Sequence, residues 1–156
     1  MPTNTGLIKF LDEKDDFVGV MGHEMAHADR RHSTRQLTQA YGVAVLLELL
    51  VGNNESLLGD VVGSLLTLKF SRDDEAEADE YSVIYLCETE YAANGAASFF
   101  EALLNMGVST PPQFLSTHPS PDNRVTDIND EADRRGCDTA FDSNDQEWEA
   151  FKASLP

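Results

Sequence analysis

The chain has 156 residues, 41% hydrophobic and 8% aromatic, enough for one domain with a buried core and unlike an intrinsically disordered segment. Its 28 acidic residues against 11 basic give a formal charge of −17, a surface that repels phosphate backbones and anionic membranes and excludes nucleic acid as an expected partner. The longest apolar stretches, Gly42 to Val51 broken by Glu48 and Leu57 to Phe70 broken by Asp60 and Lys69, fall short of the roughly 20 residues that a membrane span needs.

The opening MPTNTGLIKF lacks the basic end and apolar core of a signal peptide. Asp12 then reads as a helix N-cap, and Phe17, Val20, Met21, Met25 and Ala28 recur at three- and four-residue steps as one apolar stripe. Helices are expected from about Ser33 to Val51 and from about Glu55 to Phe70, divided by Gly52-Asn53-Asn54. Ser71 caps a fourth, with Asp73, Asp74 and Glu75 in its first turn, running to about Glu90. Asn94 caps a fifth, Ala96 to Met106, which Gly107 terminates. Pro111-Pro112 opens a loop that holds His118, and Ser120-Pro121 starts a sixth helix ending at Gly136. A short helix from Ser143 would let Trp148 and Phe151 dock on the body. Strand signal is nearly absent, so the fold is expected to be mainly α. Cys87 and Cys137 have no metal-ligand spacing; two unlinked thiols are expected ahead of the alternative, one bridge between them.

The chemistry lies in His23-Glu24-Met25-Ala26-His27. Residues four apart on a helix are about 40° apart around the axis and about 6 Å along it, so both imidazoles can hold one ion while Glu24 flanks it. This is the H-E-x-x-H pattern of zinc peptidases. Glu24-x-x-His27 is also the pair used by carboxylate-bridged di-iron bundles, which need it twice, and no second E-x-x-H occurs in the chain. A catalytic zinc requires a third protein ligand. The fourth helix offers one in Ser71-Arg72-Asp73-Asp74-Glu75-Ala76-Glu77-Ala78-Asp79, where Glu75 and Asp79 share a face and Glu77 lies opposite. Glu75 would bind the metal, and Asp79 would set the tautomer of a ligand histidine. His32, five residues beyond His27, is expected to be turned well away from it, as a surface or core contact.

H-E-M-A-H followed by Arg31-His32, then S-R-x-x-E-A-E-A-D, then Thr117-His118-Pro119-Ser120-Pro121 with Arg124, occur in one order. In that order and rough spacing the chain resembles metallopeptidase family 48, which includes the HtpX heat-shock proteases and the CAAX prenyl-protein endopeptidases, over about Thr5 to Arg135. The resemblance implies an α+β gluzincin core, here with its small β-sheet largely missing. It implies zinc on His23, His27 and Glu75, Glu24 as general base and Asp79 as the partner that orients His23. It further implies His118 near the metal, as oxyanion stabiliser or fourth ligand of a latent state, and Arg124 as a substrate-binding group or the holder of an active-site carboxylate. Members carry an apolar β segment before the T-G-L-I-like stretch. This chain starts at Met1-Pro2-Thr3-Asn4, so it reads as one domain over 1–156, truncated at its N-terminus.

The activity that follows is hydrolysis of peptide bonds in proteins: one zinc lowers the pKa of water toward about 7, and Glu24 takes the proton. The competing expectation is a latent, zinc-stabilised chaperone-like or protein-interaction domain, with His118 blocking the open position. Family members without multiple spans often act on misfolded proteins of the bacterial cell envelope, which makes that compartment the expected one.

Overall fold

The computed structural model describes residues 5–52, 63, 69–105, 117–118, 123–141 and 145–155. Seven helices are defined among them: α1 (Thr5–Phe10), α2 (Lys14–Asp29), α3 (His32–Val51), α4 (Arg72–Leu86), α5 (Gly95–Asn105), α6 (Arg124–Arg135) and α7 (Gln146–Ser154). There is no strand among the described residues, in keeping with a mainly α fold. The helix expected from Glu55 to Phe70, Gly107, Pro111-Pro112 and Ser120-Pro121 lie wholly or almost wholly outside the described residues.

Local chemistry sets most helix ends. Ser71 accepts a hydrogen bond from the Asp74 amide, and Asp74 reciprocates at the Ser71 amide, so the predicted cap of α4 is a full capping box. The helix stops at Leu86 rather than Glu90, with Cys87 as its C-cap. Gly136 ends α6 in the left-handed conformation at φ 69°, a region that a Cβ disfavours. The cap of α2 is Glu13, paired with Asp16, and not Asp12. Gly42 interrupts α3 at φ 75°, ψ 159°, so the unbroken helix expected from Ser33 does not form.

α2 is the central helix, packed on α4 and α5, with α6 laid across both of these. The core joins Leu11, Val20, Val83, Leu86, Phe99, Phe100, Ile128 and Trp148 to a set of alanines. Trp148 docks as expected, burying its ring and donating its indole N–H to the Asp12 carbonyl at 3.1 Å, whereas Phe151 stays 44% exposed. The predicted apolar stripe of α2 is corrected: Met21 and Met25 are 42% and 58% exposed and Ala28 is exposed. The buried face is Asp15, Asp16, Gly19, Val20, Gly22, His23, Ala26 and His27. Small and polar side chains form that face because it carries the site and approaches two helices closely. A Cβ on Gly19 would overlap the backbone of Gly95 and Ala96. Asp15 earns its burial by accepting the Ala92 amide at 2.7 Å.

The cysteines are also corrected. Cys87 and Cys137 form a disulfide. Their separation of 50 residues hides what packing does: α4 and α6 run side by side in the same direction. Their C-terminal ends meet, with the two Cα atoms 4.9 Å apart, inside the range that a bridge spans.

Candidate metal centre

α2 and α4 bring together the three side chains that the sequence singled out as ligands. His23 Nε2 and His27 Nε2 are 3.0 Å apart. Glu75 Oε2 lies 3.4 Å from the first and Glu75 Oε1 3.5 Å from the second. All three residues are buried, Glu75 completely. Four donors around one small ion at about 2.0–2.1 Å would be about 3.3 Å apart, and these nearest approaches, made through both Glu75 oxygens, are of that size. The donor set and its spacing fit a metal ion.

His118 closes the fourth corner. Its Nδ1 is 3.0 Å from Glu75 Oε1 and 3.4 Å from His23 Nε2, while its Nε2 is 3.3 Å from Glu24 Oε1. One donor atom from each of His23, His27, Glu75 and His118 falls within 4.8 Å of the others. Glu24 stands at the rim, partly open to solvent.

Behind His23 stand Asp79 and Arg124. Asp79 Oδ1 is 2.8 Å from His23 Nδ1, which places the ring proton on Nδ1 and leaves the Nε2 lone pair facing the cluster. Arg124 grips Asp79 through Nε and Nη2, both at 2.6 Å. Its Nη1 makes an ion pair with Glu75 Oε2 at 2.9 Å. The guanidinium is buried and lies 3.8 Å from the centre of the Phe100 ring. Of the two roles implied for Arg124, the contacts match the one that holds carboxylates.

The electrostatics favour positive charge at the centre. Burial pushes Glu75 toward the neutral acid, yet hydrogen bonds from His118, His23 and His27 outweigh it and hold the carboxyl well below its usual range. Burial opposes charge on His23, but Asp79 and Glu75 overcome it and its pKa is raised. Burial dominates at His27, whose pKa is lowered, as suits a neutral ligand.

His32 departs from expectation. It is fully buried, and its Nδ1 is 2.7 Å from His27 Nδ1. Had α2 continued, five residues would have turned His32 about 140° away from His27. Instead Arg31 adopts the left-handed conformation, φ 58° and ψ 36°, and folds the chain back. Glu77, on the far side of α4 from the ligands as predicted, receives His32 Nε2 at 3.1 Å together with Arg30 Nε and Arg35 Nη2, each at 2.8 Å. Phe70 stacks on the His27 ring, centroids 3.9 Å apart. Sequence reasoning missed His32, Glu77 and Phe70 as neighbours of the centre. The available signal was Arg31-His32, which follows the first motif after three residues.

A profile of Peptidase family M48 matches residues 2–132. The chain is 26% identical over 133 residues to the metalloprotease YcaL of Escherichia coli, covering 81% of this chain and 52% of that protein. It is 24% identical over 146 residues to the beta-barrel assembly-enhancing protease of Yersinia pestis, covering 84% of this chain and 30% of that protein. Over 120 residues it is 32% identical to the mitochondrial metalloendopeptidase OMA1 of Arabidopsis thaliana, covering 74% of this chain and 24% of that protein. The chain thus spans about half of YcaL and less than a third of the other two. With the motifs, the buried donor cluster and this match over most of its length, the chain belongs to Peptidase family M48, a family of metalloendopeptidases.

Proposed function

We propose that this chain is the catalytic domain of a zinc-dependent endopeptidase that cleaves protein substrates, with zinc on His23, His27 and Glu75. The observation that carries the reading is the convergence of the two Nε2 atoms and the Glu75 carboxylate, with nearest approaches of 3.0–3.5 Å, in a buried site. Zinc suits a donor set of two imidazoles and one carboxylate. The chemistry it supplies is Lewis acidity toward water and toward the scissile carbonyl. Glu24 at the rim takes the proton of the attacking water and passes it to the leaving nitrogen. Asp79 orients His23, and Arg124 locks Asp79 and Glu75 in place. Names among the relatives that refer to β-barrel assembly, together with a disulfide that favours an oxidising compartment, support a cell-envelope setting and envelope proteins as substrates.

The test is zinc content by elemental analysis, beside a Glu75→Ala variant. One zinc per chain, lost or sharply weakened in the variant, is expected. No zinc after reconstitution, or zinc indifferent to Glu75, would overturn the ligand set.

A second reading has its own observation. His118 Nδ1 lies 3.0 Å from Glu75 and 3.4 Å from His23, and its other nitrogen is 3.3 Å from Glu24, which supports a latent site with His118 as fourth ligand. Hydrolysis of an unfolded protein is then expected to rise in His118→Ala. A fall with zinc retained would assign His118 to transition-state stabilisation instead.

A further inference from the structure

The two ligand histidines are oriented differently. His23 meets a carboxylate directly, through Asp79. His27 meets another imidazole, His32. A single proton can occupy the 2.7 Å space between two ring nitrogens, and its owner decides which nitrogen of His27 is left with a lone pair.

The far end of the contact decides it. Glu77 is held by two guanidinium groups, Arg30 Nε and Arg35 Nη2, each at 2.8 Å, which pair with it as a carboxylate. A carboxylate only accepts, so His32 Nε2 carries the proton toward Glu77. In that tautomer His32 presents a lone pair at Nδ1. The proton between the rings therefore belongs to His27 Nδ1, and the His27 Nε2 lone pair faces the donor cluster. The same three residues could be read as a second cation site, since His32, Asp74 and Glu77 also lie within reach of one another. Two guanidinium groups already satisfy those carboxylates, and that reading is set aside.

We propose that His32 is a positioning residue for the metal centre, relaying the fixed polarity of the Glu77 carboxylate to His27 so that its Nε2 is held as a ligand. The proposal rests on the reading of His27 as a zinc ligand. The left-handed turn at Arg31 is what makes the relay possible, and the Phe70 stack restrains the His27 ring face.

The experiment compares the full chain with His32→Phe, which fills the space without an acceptor, and His32→Asn, whose amide oxygen restores one near the Nδ1 position. Zinc affinity is read by competition with a chromogenic chelator. The tautomer of His27 is read from the ring nitrogen shifts of metal-free, ¹⁵N-labelled protein. His32→Phe is expected to weaken zinc by roughly 10–100-fold, the usual effect of losing such a partner, and to shift His27 away from the Nδ1-protonated form. His32→Asn should recover most of both. If His32→Phe fails to fold, Glu77→Ala, changed near the surface, should still weaken zinc and loosen the His27 tautomer. Unchanged affinity and tautomer in these variants would overturn the relay. A wild type that takes up no zinc at all would overturn the ligand assignment instead, while the metal-free tautomer still decides the relay.

Discussion

Of the carboxylates around the cluster, Glu75 and Asp79 are buried and engaged by histidine or arginine, while Glu24 keeps contact with solvent and with His118 alone among the site residues. That difference supports the proposed roles of Glu75 as ligand and Glu24 as base. Glu24→Gln keeps the size of the side chain and removes its ability to take a proton. It is expected to retain one zinc per chain and to lose at least about 100-fold in peptide hydrolysis, within the range for general-base catalysis. Full activity in that variant, measured beside its zinc content, would remove Glu24 from the mechanism. At this scale the sequence was most informative. The i, i+4 spacing of His23 and His27 and of Glu75 and Asp79 is a property of a helix alone, so the two faces could be written down before any packing was known.

The helices meet through small residues and single tethers. Gly19 and Gly22 both sit on the buried face of α2, yet substitution should act in opposite directions. In Gly19→Ala the new Cβ overlaps backbone of α5, forcing the helices apart at about 1–3 kcal/mol or more. In Gly22→Ala it meets Ser82 at 3.4–3.6 Å, ordinary contact, while helix propensity improves by up to about 1 kcal/mol. Urea unfolding of both variants checks the pair, and equal effects would mean that the close approach of α2 and α5 is wrong. A second tether joins the end of α2 to α4, where Tyr85 donates its hydroxyl to Asp29 at 2.7 Å. Burial and then Asp29 raise the phenol to about 12. The raised value means that this bond contributes fully below the unfolded pKa of about 10, and that the contribution is lost as pH rises toward 12. Ultraviolet titration should show one late tyrosine that disappears in Tyr85→Phe. Element ends were legible where a residue at the end caps its own helix, Ser71 with its side chain and Gly136 with its left-handed backbone. They were misread where the structure chose another partner, as with Glu13 over Asp12.

Across the molecule the Cys87–Cys137 bridge closes a 50-residue loop that contains α5 and α6. In the chain-entropy account a loop of that length is worth about 4 kcal/mol. Replacing both cysteines by serine is therefore expected to lower stability by about 2–4 kcal/mol, read as a fall in the urea midpoint relative to the oxidised protein. The bridge lies at the C-terminal ends of α4 and α6, with Arg124 gripping Glu75 and Asp79 nearer their N-terminal ends. It thus reinforces the pair of helices that carries Glu75 and Arg124.

By itself the sequence determined the helical character and singled out His23, Glu24, His27, Glu75 and Asp79 as the candidate site, because each follows from spacing within one helix or from three ordered motifs. Only the tertiary structure decided which face of α2 is buried, that the cysteines pair, and that His32 returns to His27. Each of these depends on a contact between segments distant in sequence or on one backbone angle, the left-handed Arg31, that no periodicity encodes.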